Sequence, residues 1–437
     1  MEKFKKLLEE ASKPVKAAKG RHAKYRGKIQ ILSKVPISTF EDFAVWYTPG
    51  VGEVAKAIHK NKDSVYEYTN RWNSVAIVSD GTRNLGLGDL GAEAELPVLE
   101  GKALLFKFLG GVDAFPLCIA AKGQEEIIRF VEWIKPSFGG INLEDIAQPK
   151  CFHVLDELRK NLDIPVWHDD QQGTATVTLA GLINALNLVG KKAREITVSL
   201  IGAGAANITI ARFLAAYGVK IGNMIIVDRT GILHAGREEL RGGYKEKWEM
   251  CLKSNREGRT GGIAEAMKGS DVCIAASAPG PGIIKRSDVA SMASDAIIFA
   301  LANPIPEIWP WEAKKAGARI VATGRSDFPN QINNSLGFPG IFRGALDVRA
   351  KAITDEMCIA AAKELARVAE EKGIHEKYII PSMEEVELFP REAAAVAAKA
   401  MEQGIAGIKL GKKELLDNAA KIIQNARAQI ELLTKAL

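Results

Sequence analysis

The sequence predicts a two-domain α/β protein built on parallel sheets, with helices closing its C-terminal part. Three observations predict it. Short apolar runs alternate with helical patterns between residues 75 and 322, as strands joined by crossover helices do. At 437 residues the chain is too long for one ordinary core. A Gly-rich turn, Gly202-Ala203-Gly204-Ala205-Ala206-Asn207, follows a strand-like run and opens a helix-like one. That is the context of a doubly wound Rossmann-type sheet.

The elements follow in order. Residues 1–20 read as a Lys/Glu-rich amphipathic helix rather than a signal peptide. Residues 27–48 read as irregular, with Pro36 and Pro49 as breakers. Strands are expected at 75–78, 114–120, 140–146 and 164–167, separated by helices such as 124–133 and 152–162. A long helix, 174–188, leads to a second unit. Its strands are 196–201, 224–227, 272–276, 296–300 and 319–322, with a helix at 206–217. Beyond Gly344 the pattern is helical, over 354–372, 391–403 and 413–437. In the last of these Leu416, Ala419, Ile423, Ala426, Ile430, Leu433 and Leu437 recur in steps of three and four. Such a seam packs on its own domain or on a second copy.

Composition bounds the function classes. Apolar content of 47% and charged content of 26% are those of a soluble globular protein. The formal charge of +6 is spread along the chain. It argues for small anionic substrates at least as well as for nucleic acid, and no nucleic-acid partner is expected. The five cysteines (Cys118, Cys151, Cys251, Cys273, Cys358) form no CxxC pair and read as reduced thiols of a cytoplasmic protein. No apolar run reaches the roughly 18 residues that span a bilayer.

Two segments end apolar runs in acidic residues: Leu143-Glu144-Asp145-Ile146 and Trp167-His168-Asp169-Asp170-Gln171-Gln172-Gly173-Thr174. Glu144, Asp145 and Asp170 are the expected ligands of one hard divalent cation, because oxygen donors favour Mg²⁺ or Mn²⁺ over zinc. The plainer reading is that adjacent acids cap helices. Asp169 is cast as the carboxylate that holds a lysine beside the metal. His168 is read as structural. In the Gly-rich turn, Gly202 permits the tight bend and Gly204 lets a pyrophosphate approach. Ala205 and Ala206 open the helix on which the pyrophosphate sits, and Asn207 replaces the third glycine of the fingerprint. Asp228 would accept a ribose hydroxyl and favour NAD, while Arg229 would pair with a 2′-phosphate and favour NADP. Both remain open.

The stretch Ser79-Asp80-Gly81-Thr82-Arg83-Asn84-Leu85-Gly86-Leu87-Gly88-Asp89-Leu90-Gly91 is Gly-rich but lacks the ending of a P-loop. Arg83 in it either clamps a substrate carboxylate or is solvated. Lys102, ordinarily a surface residue type, would have its pKa lowered near a cation and out of water, and would then serve as a general base. Tyr47, in Trp46-Tyr47-Thr48-Pro49-Gly50-Val51, packs its ring or donates a proton to a carbanion. Asn303 and Asn333 suit substrate carboxyl and hydroxyl groups, or form turns.

Taken together, these phrases resemble the malic enzyme family in its short prokaryotic form. The matching stretches are Tyr47–Val51, Ser79–Gly91, Gly101-Lys102, Leu143–Asp145, His168–Ala175, Gly202–Ala206 and Asn330–Asn334, in the family's order. The resemblance implies oxidative decarboxylation of L-malate to pyruvate and CO₂, with reduction of NAD or NADP and dependence on Mg²⁺ or Mn²⁺. It implies Tyr47 as general acid, Lys102 as general base and Arg83 as substrate clamp. Glu144, Asp145 and Asp170 would hold the metal, and Asn303 and Asn333 would contact substrate. It further implies a substrate- and metal-binding domain of 1–168 with 334–437, an inserted NAD(P)-binding domain of 169–333, and a homodimer or higher homo-oligomer. The chain departs from the pattern at Asn207, and it ends at Leu437 without the phosphotransacetylase-like extension of some relatives. Two rivals are a two-domain dehydrogenase acting without metal on an amino or hydroxy acid, and a non-catalytic nucleotide sensor.

Overall fold

The protein is described from a computed structural model over residues 2–121 and 123–436, so Met1 and Leu437 fall outside it. The chain opens with an arm of helices α1 (Glu2–Tyr25), α2 (Asp42–Trp46) and α3 (Val51–Lys60). The irregular stretch expected at 27–48 thus contains one short helix. A first parallel sheet follows, made of β1 (Ser74–Ser79), β2 (Asp113–Cys118), β3 (Gly140–Leu143) and β4 (Val166–His168). Its crossovers include α4 (Ala92–Gly110), α5 (Gln124–Ile134) and α6 (Lys150–Asn161).

Strand order in this sheet is β2-β1-β3-β4. The chain therefore steps to one side of β1 and then to the other. A crevice opens outside the carboxyl ends of strands at such a switch point, the usual place for a ligand in this architecture. Register sets Val78 beside Leu143 and Leu143 beside His168. The next residues of β1, β3 and β4, namely Ser79, Glu144 and Asp169, therefore emerge side by side. The 140–146 strand is shorter than expected, because Asp145 takes a left-handed backbone (φ 49°) and turns the chain. Such a conformation costs on the order of 1–3 kcal/mol and is tolerated where surroundings hold it.

Helix α7 (Thr174–Val189) leads to the second sheet. That sheet comprises β5 (Val198–Ile201), β6 (Met224–Asp228), β7 (Gly231–Ile232), β8 (Val272–Ala275), β9 (Ile297–Ala300) and β10 (Ile320–Thr323), with α8 (Ala205–Tyr217) after β5. The order is β10-β9-β8-β5-β6-β7, parallel except for the β6–β7 pair. Four further helices are α9 (Phe338–Asp347), α10 (Asp355–Glu371), α11 (Leu388–Glu402) and α12 (Lys412–Ala436).

These late helices pack back on the first sheet. A Cβ on Gly110 of α4 would meet the Pro339 carbonyl at 2.7 Å, and one on Gly111 would meet Ile422. Phe106 of α4 sits 4.6 Å from Phe338 and 5.3 Å from Phe342 of α9. The seam of α12 is buried at Leu415, Ala419, Ile423 and Ala426 against the chain's own core. Leu415 fills the place expected of Leu416, which is exposed, and Leu437 lies outside the described residues. The stripe is therefore intramolecular packing and not a second-copy seam over that span.

Candidate active site

The geometry of the switch point is carried by α4 and the turn after β4. Lys102, on the inward face of α4, is only 8% exposed. Its Nζ lies 2.7 Å from Glu144 Oε1, pairs with Asp169 Oδ2, and sits 4.7 Å from the centre of the Phe338 ring. Trp167 Nε1 donates to Asp169 Oδ1 at 3.1 Å, which fixes that carboxylate. Asp169 therefore holds the lysine, as expected. The lowering of the Lys102 pKa is expected beside a bound cation; the side chains alone set a different balance. Burial lowers it, but the Asp169 and Glu144 carboxylates together raise it above the ordinary lysine value. A cation drawn to Glu144 would compete for one of those two partners.

Residues 169–173 form a single π-helical turn before α7. Gly173 is required there, since a Cβ would collide with Asp169 Oδ1 and press on Asn334. The turn swings Asp170 towards β3, where its Oδ2 accepts the Asp145 N–H at 3.0 Å. Asp145 Oδ2 accepts the Leu85 N–H at 2.8 Å, and Asn142 Nδ2 donates to Glu144 Oε2 at 2.9 Å. Glu144, Asp145 and Asp170 each place one carboxylate oxygen within 4.8 Å of the others. Burial pushes all three carboxyls up; neighbouring carboxylates add to the rise at Glu144 and at Asp145, which reaches about 10, whereas at Asp170 the Lys102 and Arg83 charges oppose it. Oxygen donors so close together, two buried and Asp170 half-buried, fit a hard divalent cation, which would relieve their repulsion.

A fourth acid completes this cluster, and sequence reasoning missed it. Glu95, on the first turn of α4, is fully buried beside Asp145 and takes a hydrogen bond from Asn84 Nδ2. Burial raises its carboxyl to about 7. One acid among several at a helix start carries no local signal. His168 is fully buried, with its Nδ1 3.7 Å from Asp170, and burial lowers its pKa to about 3, so it is neutral. Its expected structural standing agrees with that.

The loop 79–91 roofs this cluster. Gly81 is left-handed (φ 67°), and a Cβ on it would meet the Gly91 carbonyl at 2.4 Å, so the loop closes on itself only with glycine there. Thr82 Oγ1 accepts the Ala147 N–H at 3.0 Å, and buried Asp80 is paired with Lys150. Arg83 is exposed on this loop, near enough to Asp170 to bias its charge.

In the second sheet, Gly202 (φ 99°) lies so close to Ala276 that a Cβ would meet the carbonyl at 2.6 Å. Gly204 faces open space, and α8 begins at Ala205. Asn207 is expected among the cofactor contacts. It is fully buried, and its Nδ2 donates to the Ile201 and Gly202 carbonyls at 2.9 and 2.8 Å. Its side-chain N–H groups thus staple the turn, while its Oδ1 has no hydrogen-bond partner among the described residues.

Asp228 ends β6 beside a cleft of about 460 Å³ lined by Arg229, Thr230, His234 and Arg237. Its carboxylate is already engaged by Arg237 (both contacts 3.2 Å), by Thr230, and by Lys247 at 3.6 Å, and hydrogen bonds from Arg237 and Thr230 hold it down at about 2 despite burial. Arg237 and Lys247 were not legible as site residues, because no spacing rule joins them to Asp228.

Asn303 and Asn333 converge on Gly324. Asn333 Nδ2 donates to the Gly324 carbonyl at 3.4 Å, and the Asn303 amide lies 2.7 Å from where a Gly324 Cβ would stand. Fully buried Glu307 fastens the neighbouring loops by accepting the Ser277 and Ala302 N–H groups at 2.8 and 3.1 Å. One expected residue is not brought to the others. Tyr47 is 68% exposed, and its phenol has no side-chain partner among the described residues.

Residues 171–403 match the family description "Malic enzyme, NAD binding domain", and residues 26–126 match "Malic enzyme, N-terminal domain". The chain is 50% identical over 382 residues to an NAD-dependent malic enzyme of Geobacillus stearothermophilus, covering 87% of this chain and 78% of that one. It is 46% identical to a bifunctional malic/malolactic enzyme of Bacillus subtilis, covering 92% and 96%. Its fold superposes on the crystal structure of a malic enzyme from Entamoeba histolytica with a TM-score of 0.95 at 47% identity, covering 98% and 90%.

Proposed function

The chain belongs to the malic enzyme family, and from that premise we propose that it oxidatively decarboxylates L-malate to pyruvate and CO₂ while reducing NAD or NADP. The observation that carries the reading is Lys102, buried between Glu144 and Asp169 at the edge of an acid cluster at the sheet's switch point. Lys102 takes the C2 hydroxyl proton, and Asp169, itself held by Trp167, keeps the amine in place. Glu144, Asp145 and Asp170 would hold Mg²⁺ or Mn²⁺, which when bound supplies a Lewis acid to the substrate oxygens. The turn Gly202–Ala206 would hold the pyrophosphate of the dinucleotide, whose nicotinamide when bound supplies the hydride acceptor. Arg83 binds a substrate carboxylate, and Asn303 and Asn333 orient the substrate from the Gly324 side. Tyr47 returns a proton to C3 after CO₂ has left.

The reading extends to organisation. The inserted NAD(P)-binding domain is 169–333, and 1–168 with 334–437 form the other domain. The packing of α9 and α12 on α4 supports this division, although the matched NAD-binding segment of the family continues to residue 403. The protein works as a homodimer in the cytoplasm. No helix among the described residues is long and apolar enough to cross a membrane.

The test is absorbance at 340 nm with L-malate, Mn²⁺ and either NAD or NADP, with and without EDTA, and with pyruvate assayed. Metal-dependent reduction with stoichiometric pyruvate is expected, and the ratio of the two rates reads the cofactor preference at Asp228. Reduction that survives EDTA, or no reduction by folded protein, overturns the reading.

A further inference from the structure

The cleft at the end of β6 bears on which nucleotide is taken. β6 pairs with β5, whose end carries the Gly-rich turn, and the Gly202 N–H donates to the Val227 carbonyl at 2.8 Å. Asp228 therefore emerges beside that turn, where this architecture places the adenosine ribose. A carboxylate there ordinarily accepts the ribose 2′-hydroxyl, and its charge repels a 2′-phosphate. Both effects need a free carboxylate.

Asp228 is not free. An ionised carboxylate offers about four lone-pair sites. Oδ1 accepts the Thr230 N–H at 2.9 Å, the Thr230 hydroxyl at 2.8 Å and Arg237 Nη1 at 3.2 Å, and Oδ2 accepts Arg237 Nη2 at 3.2 Å. Oδ2 also has Lys247 Nζ at 3.6 Å. A ribose 2′-hydroxyl thus finds its acceptor occupied. The residue that occupies it is itself locked. Arg237 Nε pairs with Glu239, its Nη2 donates to Thr230 Oγ1 at 2.6 Å, and its side chain is 13% exposed. A guanidinium fixed by two parallel bonds to one carboxylate cancels that charge lastingly.

Neighbouring cations are left over. Arg229 lines the cleft, is exposed and has no ion-pair partner among the described residues. Lys247 stands too far from Asp228 for a hydrogen bond, so its ammonium donors are uncommitted there. Among the described residues lining the cleft, Asp228 is the one acid, set against Arg229 and Arg237.

We infer that this cleft takes the 2′-phosphate of NADP, that Arg229 and Lys247 receive it, and that Arg237 sets the preference by holding Asp228 out of play. This rests on the dinucleotide-dependent reaction proposed above and names its nucleotide. Arg237 is a positioning residue, since it acts on the cofactor through Asp228.

The test is titration calorimetry of the full chain without malate. The probes are NADP and NAD, then adenosine 2′,5′-bisphosphate and 5′-AMP, a pair that differs by the 2′-phosphate alone. NADP and the bisphosphate are expected to bind about 10- to 100-fold tighter than NAD and AMP, as one charge-assisted contact provides. Arg237→Met frees the carboxylate, so NADP should weaken at least tenfold while NAD tightens. Damage to the fold would weaken both together, so opposite movement separates the two causes. Arg229→Ala, at an exposed position, should cut the NADP-to-NAD affinity ratio at least tenfold. Wild-type protein that binds NAD as tightly as NADP overturns the inference. So does a folded Arg237→Met that loses both nucleotides alike, or an unchanged ratio in Arg229→Ala. Metal-dependent malate turnover with NAD would survive any of these results, whereas folded protein that binds neither nucleotide would sink the proposed reaction as well.

Discussion

At the scale of single residues, the site's behaviour follows from charge held out of water. Lys102 is buried with two carboxylates, and neither it nor they are tolerable there alone. Lys102→Ala therefore has two expected consequences. It removes the proton acceptor, costing about 10²–10⁴ in kcat. It also strands two buried carboxylates, so the metal-free variant should lose about 3–5 kcal/mol of stability. Initial rates and urea midpoints in EDTA check the two separately. Retention of wild-type kcat at neutral pH would show that the base is another group. Asp228 shows the opposite case, a carboxylate so well paired by Arg237, Thr230 and Lys247 that it stays ionised. A ribose bound there as proposed would meet one negative charge already surrounded by cations.

At the scale of elements, helix contacts are set by what their closest residues lack. The α9–α11 contact brings the helices together at Gly344, where a Cβ would meet the Ala393 carbonyl at 2.2 Å, and at Gly340, which faces Glu392. Glu392 is fully buried, and among the described residues neither carboxyl oxygen has a hydrogen-bond partner. Burial pushes its carboxyl well above the usual range, so the folded protein holds it neutral. The sign of the pH effect follows. Below the unfolded carboxyl pKa both states are protonated and nothing is lost. As pH rises above that value the unfolded chain ionises while the folded one does not, so stability falls with a limiting slope of about 1.4 kcal/mol per pH unit. Glu392→Gln should be the more stable protein at pH 8 and should lose that part of the slope between pH 5 and 8, as urea midpoints would reveal. An unchanged slope would mean that Glu392 is ionised in the folded state.

At the scale of the whole molecule, the acid cluster joins separate parts of the chain. Glu144 and Asp145 follow β3, Glu95 starts α4, and Asp170 belongs to the turn that leads into α7 and the second sheet. A bound cation would cross-link those parts in the folded state alone. Mn²⁺ at a hundred times its Kd should then add about 2.7 kcal/mol, a rise of a few degrees in melting temperature. Asp170→Asn should abolish most of that rise. An equal shift in the variant would place the ion elsewhere.

Much was legible along the chain because its signals are local. The alternation of apolar runs with helical patterns places nearly every strand within two residues, since side-chain period is a property of neighbours in sequence. Gly202 and Gly204 announce their turn because backbone conformation and close approach are demanded at single positions. Acids ending strands mark Glu144, Asp145 and Asp170 for the same reason, and Asp169 was recognised as the partner of a lysine. Other features exist only through the fold. Glu95 joins the cluster because α4 crosses over β1, Arg237 and Lys247 reach Asp228 across loops, and Asn207 turns inward because the carbonyls of its own turn are within reach. Leu415 displaces Leu416 from the core by the angle at which α12 meets its neighbours. The sequence by itself determined the two sheets, the Gly-rich turn and the acidic strand ends, because each is encoded within a few residues. Only the tertiary structure decided which charges meet in the dry interior and that Tyr47 stands apart from Lys102, because burial and long-range contact are settled by packing.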